Sequence, residues 1–270
     1  MRPSFLIKFT AGVSLFVSLT FGVAANAAEP VRVYSAGSLV GPLKEAISVS
    51  GIAATPTFGP AGLLRQRLQG GEAADLYLSA DLAQPRALVE AGKATGVIAF
   101  ARNKLCTLSR DELGVTDANV LDKMLDPAVR LATSTPKADP GGDYAWLVFD
   151  KADAMKSGSK KVLEDKALKL IGSPNTMTPI AGKSASATVF LSDKADVLIY
   201  YCSGQAETLH DVPGLVSRPL PPALDITAVY GLTLLGDNPD AQRLALFLLS
   251  EQGQTILVKS GLMPVPVLGD

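Results

Sequence analysis

The stretch "VRVYSAGSLVGPLKEAI", residues 31–47, decides the fold. A β-branched run stops at a corner of small residues, and a helical pattern follows immediately. Gly37 supplies the backbone freedom that the corner needs, and Ser38 is a favoured N-cap residue whose oxygen accepts from first-turn amides. First-turn amides that stay free attract an anion, because the helix dipole is positive at that end. The stretch predicts a strand-to-helix turn that is either a plain cap or part of an anion-binding site.

The first 27 residues have the pattern of a secretory signal peptide. A basic start precedes an apolar run that ends in Ala25-Asn26-Ala27. We therefore expect residues 1–27 to be removed on export to the periplasm. A membrane anchor is the alternative reading, although the run is short for a span of about 20 residues. No Cys follows the run, which argues against a lipoprotein.

Composition narrows the class of function. The chain has 270 residues and a formal net charge of −1, which argues against nucleic acid or an anionic membrane surface as a partner. A single histidine, His210, and two cysteines cannot build a multi-His or Cys-rich metal site, and we expect no cofactor. A serine hydrolase on Ser38 or Ser134 would need His210 as its base, and the chain has no G-x-S-x-G elbow. We therefore expect a protein that is not an enzyme.

The two cysteines, Cys106 and Cys202, lie in strand-like segments of a chain predicted to be exported. An even pair in such a chain usually forms a disulfide. If the two strands are neighbours, the bridge closes a long loop and stabilises one part of the fold. Two separate buried thiols are the alternative.

Short apolar strands alternate with amphipathic helices along the chain. The predicted strands are 31–35, 54–59, 75–80, 104–109, 129–134, 195–201 and 225–235. The predicted helices are 39–49, 61–70, 81–91, 118–124, 142–154, 159–172, 184–192 and 238–260. This alternation predicts an α/β protein with a parallel-rich sheet, in which ligands bind beyond the carboxyl ends of the strands.

Three strand ends share the same chemistry. Each is a turn of small residues that leads into a helix and exposes backbone amides: Ala36-Gly37-Ser38, Gly59-Pro60-Ala61-Gly62 and Pro140-Gly141-Gly142. One such turn is ordinary in an α/β protein. Three turns that converge on one sheet edge would bind an anion through amides and hydroxyls alone.

Five segments resemble, in order, the molybdate-binding proteins of bacterial ABC importers. They are "VRVYSAGSL", "FGPAGLLRQRLQGGEAADLYLSADLAQPRALVEAG", "NKLCTL", "VRLATSTPKADPGGDYA" and "ADVLIYYCSGQA". The similarity covers roughly residues 31–265, and its run from Phe58 to Ala91 is the most specific part. It implies a type II periplasmic binding fold, in which two α/β lobes joined by two crossing strands close over the ligand. Lobe one would comprise residues 28–102 plus 229–270, and lobe two residues 103–228.

The resemblance also implies a ligand set. The family holds molybdate without a metal, through backbone amides, serine hydroxyls and a tyrosine hydroxyl. Carried over to this sequence, the ligand-binding positions are Ser38, Ala61, Gly62, Gly141, Lys183, Ser184 and Tyr201. Ala61 departs from the family pattern because it replaces a hydroxyl, and Lys183 because it is a cation. A slip of one residue would put Tyr200 in place of Tyr201.

The implied function is transport. The chain would capture a small oxyanion, molybdate or tungstate first, and deliver it as a monomer to an inner-membrane ABC permease. Three alternatives stay open: a binding protein for another small anion such as a carboxylate, a sensor without a transport role, and a serine hydrolase.

Overall fold

The computed structural model describes Met1 and residues 29–265. The predicted signal peptide therefore lies outside the described residues, apart from Met1. Among the helices that are described, none is long and apolar enough to cross a membrane.

Nine strands and ten α-helices occur in the described residues. The strands are β1 (Val31–Ala36), β2 (Ala54–Gly59), β3 (Leu76–Ser79), β4 (Ile98–Arg110), β5 (Leu131–Ser134), β6 (Leu168–Ile171), β7 (Val197–Tyr201), β8 (Leu215–Pro219) and β9 (Thr227–Leu234). The helices are α1 (Val40–Ser50), α2 (Ala61–Gln69), α3 (Ala83–Glu90), α4 (Val120–Leu125), α5 (Pro140–Met155), α6 (Ser159–Lys166), α7 (Ala185–Leu191), α8 (Gln205–Asp211), α9 (Pro239–Leu249) and α10 (Glu251–Lys259).

The strands form two lobes that share the long strand β4. In the first lobe β1 lies parallel to β2 and β3, and β9 lies antiparallel to β3 and to residues 98–104 of β4. In the second lobe β5 lies parallel to β6 and β7, while β7 and β8 lie antiparallel to the remainder of β4. The chain therefore crosses between lobes along β4 and returns along β9. This confirms the predicted two-lobed α/β fold, and the exact lobe boundaries stay a prediction.

The structure differs from the sequence reading in four places. The predicted helix 159–172 is wrong in its second half, because α6 ends at Lys166 and β6 pairs in parallel with β5. Here sheet pairing overrides the apolar spacing typical of a helix. The predicted helix 238–260 is two helices, since Ser250 leaves the helical conformation and its hydroxyl caps α10. Helix α8 and strand β8 were not predicted.

The disulfide prediction is confirmed. Cys106 on β4 and Cys202, directly after β7, are bridged, and their Cα atoms lie 5.0 Å apart. In the β4–β7 register Cys106 is the partner of Tyr200. The bridge therefore fixes the end of β7, and the residues that follow it, against β4.

Candidate functional site

A cavity of about 1150 Å³ lies between the two lobes. The first lobe contributes the corners that follow β1 and β2, and the second lobe contributes the start of α7 and the end of β7. Five of the seven predicted site residues line this cavity: Ser38, Ala61, Lys183, Ser184 and Tyr201. Gly62 and Gly141 do not line it. Five of the predicted residues thus gather around one space, although they come from segments far apart in the sequence.

The corner after β1 presents Ser38 to the cavity. The N-cap of the following 3-10 turn, Gly37–Leu39, is Ala36, and that of α1 is Leu39. Neither cap makes a side-chain hydrogen bond, so the plain-cap reading of Ser38 does not hold. The Ser38 Oγ instead lies 2.9 Å from the Tyr230 Oη, on the crossing strand β9.

The corner after β2 brings the two lobes into contact. The backbone N–H of Gly62 donates to the carbonyl of Ala138 in the second lobe, at 3.1 Å. A Cβ at position 62 would lie 2.4 Å from the Lys137 carbonyl oxygen and 2.8 Å from that of Ala138. The position therefore requires glycine because of this close approach. Its amide is engaged by a protein carbonyl, whereas Ala61 faces the cavity.

The third corner contains an acidic residue that the sequence reading did not select. Asp139 lines the cavity and caps α5, where its Oδ1 accepts from the Gly141 N–H at 3.0 Å. The Gly141 amide is therefore committed to this cap. Burial raises the pKa of Asp139 to about 6, because the charged carboxylate loses its hydration. A deprotonated Asp139 opposes an anion in the cavity, so its protonation favours anion binding. The signal in the sequence was Asp before Pro at a helix start, a capping pattern.

Tyr201 presents an unpaired hydroxyl. It is 2% exposed, it lines the cavity, and its Oη has no hydrogen-bond partner among the described residues. A Cβ at Gly141 would lie 3.3 Å from a ring carbon of Tyr201, so Gly141 leaves room for this ring. Burial holds the pKa of Tyr201 well above its usual value, and the group stays a neutral donor. Tyr200, the alternative, also lines the cavity.

Lys183 and Ser184 already have protein partners. The Lys183 Nζ lies 2.7 Å from the Asp211 Oδ1 on α8, and this ammonium holds the pKa of Asp211 below its usual value. The Ser184 Oγ caps α7 by accepting from the Ala187 N–H at 3.1 Å. The charge of Lys183 is thus balanced locally, and the Ser184 Oγ also lies 3.2 Å from the hydroxyl oxygens of Ser186 and Thr208.

Comparison with known proteins places these features in a family. The family described as bacterial extracellular solute-binding protein matches residues 31–263. The uncharacterized protein PM1146 of Pasteurella multocida is 34% identical over 210 residues, which are 77% of this chain and 86% of that protein. The molybdate-binding protein ModA of Rhodobacter capsulatus is 28% identical over 148 residues, 54% of this chain and 55% of ModA. These matches confirm the resemblance seen in the sequence.

A solved structure shares the fold. The sulfate-binding protein SubI from Mycobacterium tuberculosis superposes with a TM-score of 0.70 at 18% identity, and the match covers 87% of each chain.

Proposed function

We propose that this chain, which belongs to the family of bacterial extracellular solute-binding proteins, captures a small oxyanion in the cavity between its lobes. Molybdate and tungstate are the first candidates. The protein would act in the periplasm, as a monomer, and deliver the anion to an inner-membrane ABC permease. The seven predicted positions form the proposed binding set or, for Gly62 and Gly141, its support.

The cavity's donor set carries this proposal. The Tyr201 hydroxyl is buried, neutral and unpaired among the described residues, and Tyr201 lines the same cavity as Ser38. Hydrogen bonds from neutral donors to a charged oxygen are short and strong, and a water-excluding cleft strengthens them further. Neutral donors can therefore hold an oxyanion without a metal or a compensating cation.

Charged side chains of both signs line the cavity. Lys44 and Lys259, both exposed, lie on the first lobe, and Asp139 and the exposed Glu207 lie on the second. Positive groups at the mouth of a cleft attract an anion and raise its association rate. The paired Lys183 adds no uncompensated charge, which favours a ligand held by hydrogen bonds over one held by an ion pair.

The catalytic alternative finds less support. The hydroxyl of Ser38 bonds to Tyr230, a group that cannot serve as a general base at neutral pH. His210 lies on α8 with 89% of its side chain exposed. A serine hydrolase centred on Ser38 would need a base beside that hydroxyl, so we propose binding without turnover.

Isothermal titration calorimetry and thermal shift test this function. The ligands are molybdate, tungstate, sulfate, phosphate and small carboxylates. We expect molybdate or tungstate to stabilise the protein, by about 2.7 kcal/mol at a concentration 100 times the dissociation constant. A response to a carboxylate alone would replace the oxyanion by that ligand class, and no response to any anion would overturn the proposal.

The substitution Ser38→Ala tests whether Ser38 contacts the oxyanion. We expect it to weaken oxyanion binding, because a lost hydrogen bond to a charged group costs about 1.5–3 kcal/mol. Ser157→Ala, an exposed serine outside the cavity lining, is the matched control and should bind as the wild type does. Equal affinity of both variants would remove Ser38 from the site.

A further inference from the structure

A chain of four hydrogen-bonded side chains crosses from one lobe to the other behind the cavity. The Asn103 Nδ2 lies 3.0 Å from the Tyr230 Oη and 2.7 Å from the Ser203 Oγ. The Tyr230 Oη in turn lies 2.9 Å from the Ser38 Oγ. Asn103 on β4 and Tyr230 on β9 are fully buried, whereas Ser38 and Ser203 line the cavity from opposite lobes. The two crossing strands thus connect one cavity hydroxyl in each lobe.

The backbone fixes which way the Asn103 amide faces. Its Oδ1 accepts from the N–H groups of Lys104, at 2.9 Å, and Ser203, at 3.3 Å. Both groups are donors only, so the side-chain oxygen must face them and the nitrogen must face the hydroxyls. The two hydrogens on Nδ2 are then given to Tyr230 and to Ser203.

This orientation sets the direction of the remaining hydrogens. The Tyr230 Oη accepts from Asn103, so its own hydrogen is available for the Ser38 Oγ, the other hydroxyl within hydrogen-bond distance. Burial holds the pKa of Tyr230 above its usual value, so this hydrogen stays in place. The Ser38 Oγ then accepts from Tyr230, and its own hydrogen is left for the cavity. The Ser203 Oγ accepts from Asn103, and its hydrogen is left for the cavity in the same way.

We propose that Asn103 is a specificity-determining positioning residue, which turns the hydroxyls of Ser38 and Ser203 into hydrogen-bond donors toward the ligand. The proposal rests on the function proposed above and adds Ser203 to the ligand contacts. It defines the ligand class, because a site of oriented donors takes a guest that presents acceptor oxygens only. A fully deprotonated oxyanion fits this site, whereas a polyol, whose hydroxyls must also donate, does not.

Two substitutions at position 103 test whether Asn103 acts by directing hydrogen bonds or only by filling space. Asn103→Asp keeps the shape but replaces the donor by an acceptor, so Tyr230 must turn its hydrogen from Ser38 to position 103 and Ser203 must turn its hydrogen away from the ligand. With a like charge beside the anion, we expect a loss of oxyanion affinity on the order of 100-fold. Asn103→Ala removes the amide donor without supplying an acceptor in its place. We expect the oxyanion affinity to fall about tenfold. Gln242→Glu, on the exposed face of α9, adds the same charge away from the cavity and should bind normally.

The order of the two variants is the decisive result. An Asp variant that binds the oxyanion better than the Ala variant would overturn the proposal. Because the Asp charge alone also opposes the anion, Tyr230→Phe tests the hydrogen direction without a change of charge. Thermal denaturation of each variant shows whether it folds. Should neither fold, Tyr230→Phe replaces them: it removes the hydrogen given to Ser38 and should weaken binding about tenfold. Tyr34→Phe, a tyrosine outside the cavity lining, is its control, and equal affinities of the two Phe variants would overturn the proposal.

Neutron diffraction of the unliganded wild type gives a readout that needs no ligand. We expect the deuterium on the Tyr230 oxygen to point to the Ser38 Oγ. A deuterium that runs from Ser38 to Tyr230 would overturn the inference even if oxyanions bind. If the wild type binds no oxyanion, the proposed function fails, and the deuterium position still decides whether Asn103 orients the two serines.

Discussion

Gly62→Ala should weaken ligand binding without touching the ligand. A Cβ at this position would lie 2.4 Å from the Lys137 carbonyl oxygen. The backbone fixes the place of the Cβ and the oxygen is itself a backbone atom, so neither can rotate away. The lobes would have to separate there by roughly 1 Å to restore an ordinary contact. Separation also removes the 3.1 Å hydrogen bond from the Gly62 N–H to Ala138.

The expected loss of affinity follows from the steric overlap at position 62 and from the lost hydrogen bond to Ala138. Overpacking costs about 1–3 kcal/mol, and the lost hydrogen bond adds about 0.5–1.5 kcal/mol. Together they destabilise this contact between the lobes by about 1.5–4.5 kcal/mol, which is a roughly 10- to 2000-fold loss of affinity if the contact accompanies binding. The unliganded protein can relieve the clash by opening, so its melting temperature should change little.

Calorimetry with the best-bound oxyanion measures this loss, and small-angle X-ray scattering shows whether the variant is more open than the wild type. Gly236→Ala is the matched control, because a Cβ there meets no atom within 4 Å. Wild-type affinity in Gly62→Ala would refute the view that this contact belongs to the ligand-binding arrangement.

Three further predictions concern the cavity wall. Tyr201→Phe should lower oxyanion affinity by about 1.5–3 kcal/mol in calorimetry and leave the unfolding free energy unchanged or higher, because the hydroxyl has no partner among the described residues; a marked loss of stability would contradict this. The affinity of the wild type should fall as the pH rises through about 6, the pKa of Asp139, since the carboxylate is neutral below it and charged above it. Asp139→Asn should abolish this step and keep the high affinity, so an unchanged pH profile in that variant would reject the assignment. Replacing both Cys106 and Cys202 by Ser should lower the unfolding free energy in urea by about 4–5 kcal/mol, because their bridge spans a sequence separation of 96 residues; an unchanged denaturation midpoint would count against it.

The order of strands and helices could be predicted because periodicity and turn chemistry are local signals. The corners at Ser38 and Ala61 were visible as small residues between a strand and a helix. The same local reading failed at residues 168–171, because the choice of strand over helix there depends on pairing with β5. It also placed a single helix across Ser250, whose hydroxyl caps the second of two helices.

The site could be predicted from the sequence only in part, for a related reason. Sequence spacing and family resemblance pointed to Ser38 and Tyr201, which line the cavity. They could not show that the Gly62 and Gly141 amides are taken by protein acceptors. Nor could they show the role proposed for Asn103, because that role depends on partners from both lobes.

The most direct test of the account is a crystal structure of the protein grown with tungstate, whose anomalous scattering locates the metal unambiguously. The account predicts one strong peak between the lobes, with tungstate oxygens within about 3 Å of the Ser38, Tyr201 and Ser203 hydroxyls. A tungstate bound elsewhere, or a cavity that excludes tungstate in a protein that binds it in solution, would contradict the account.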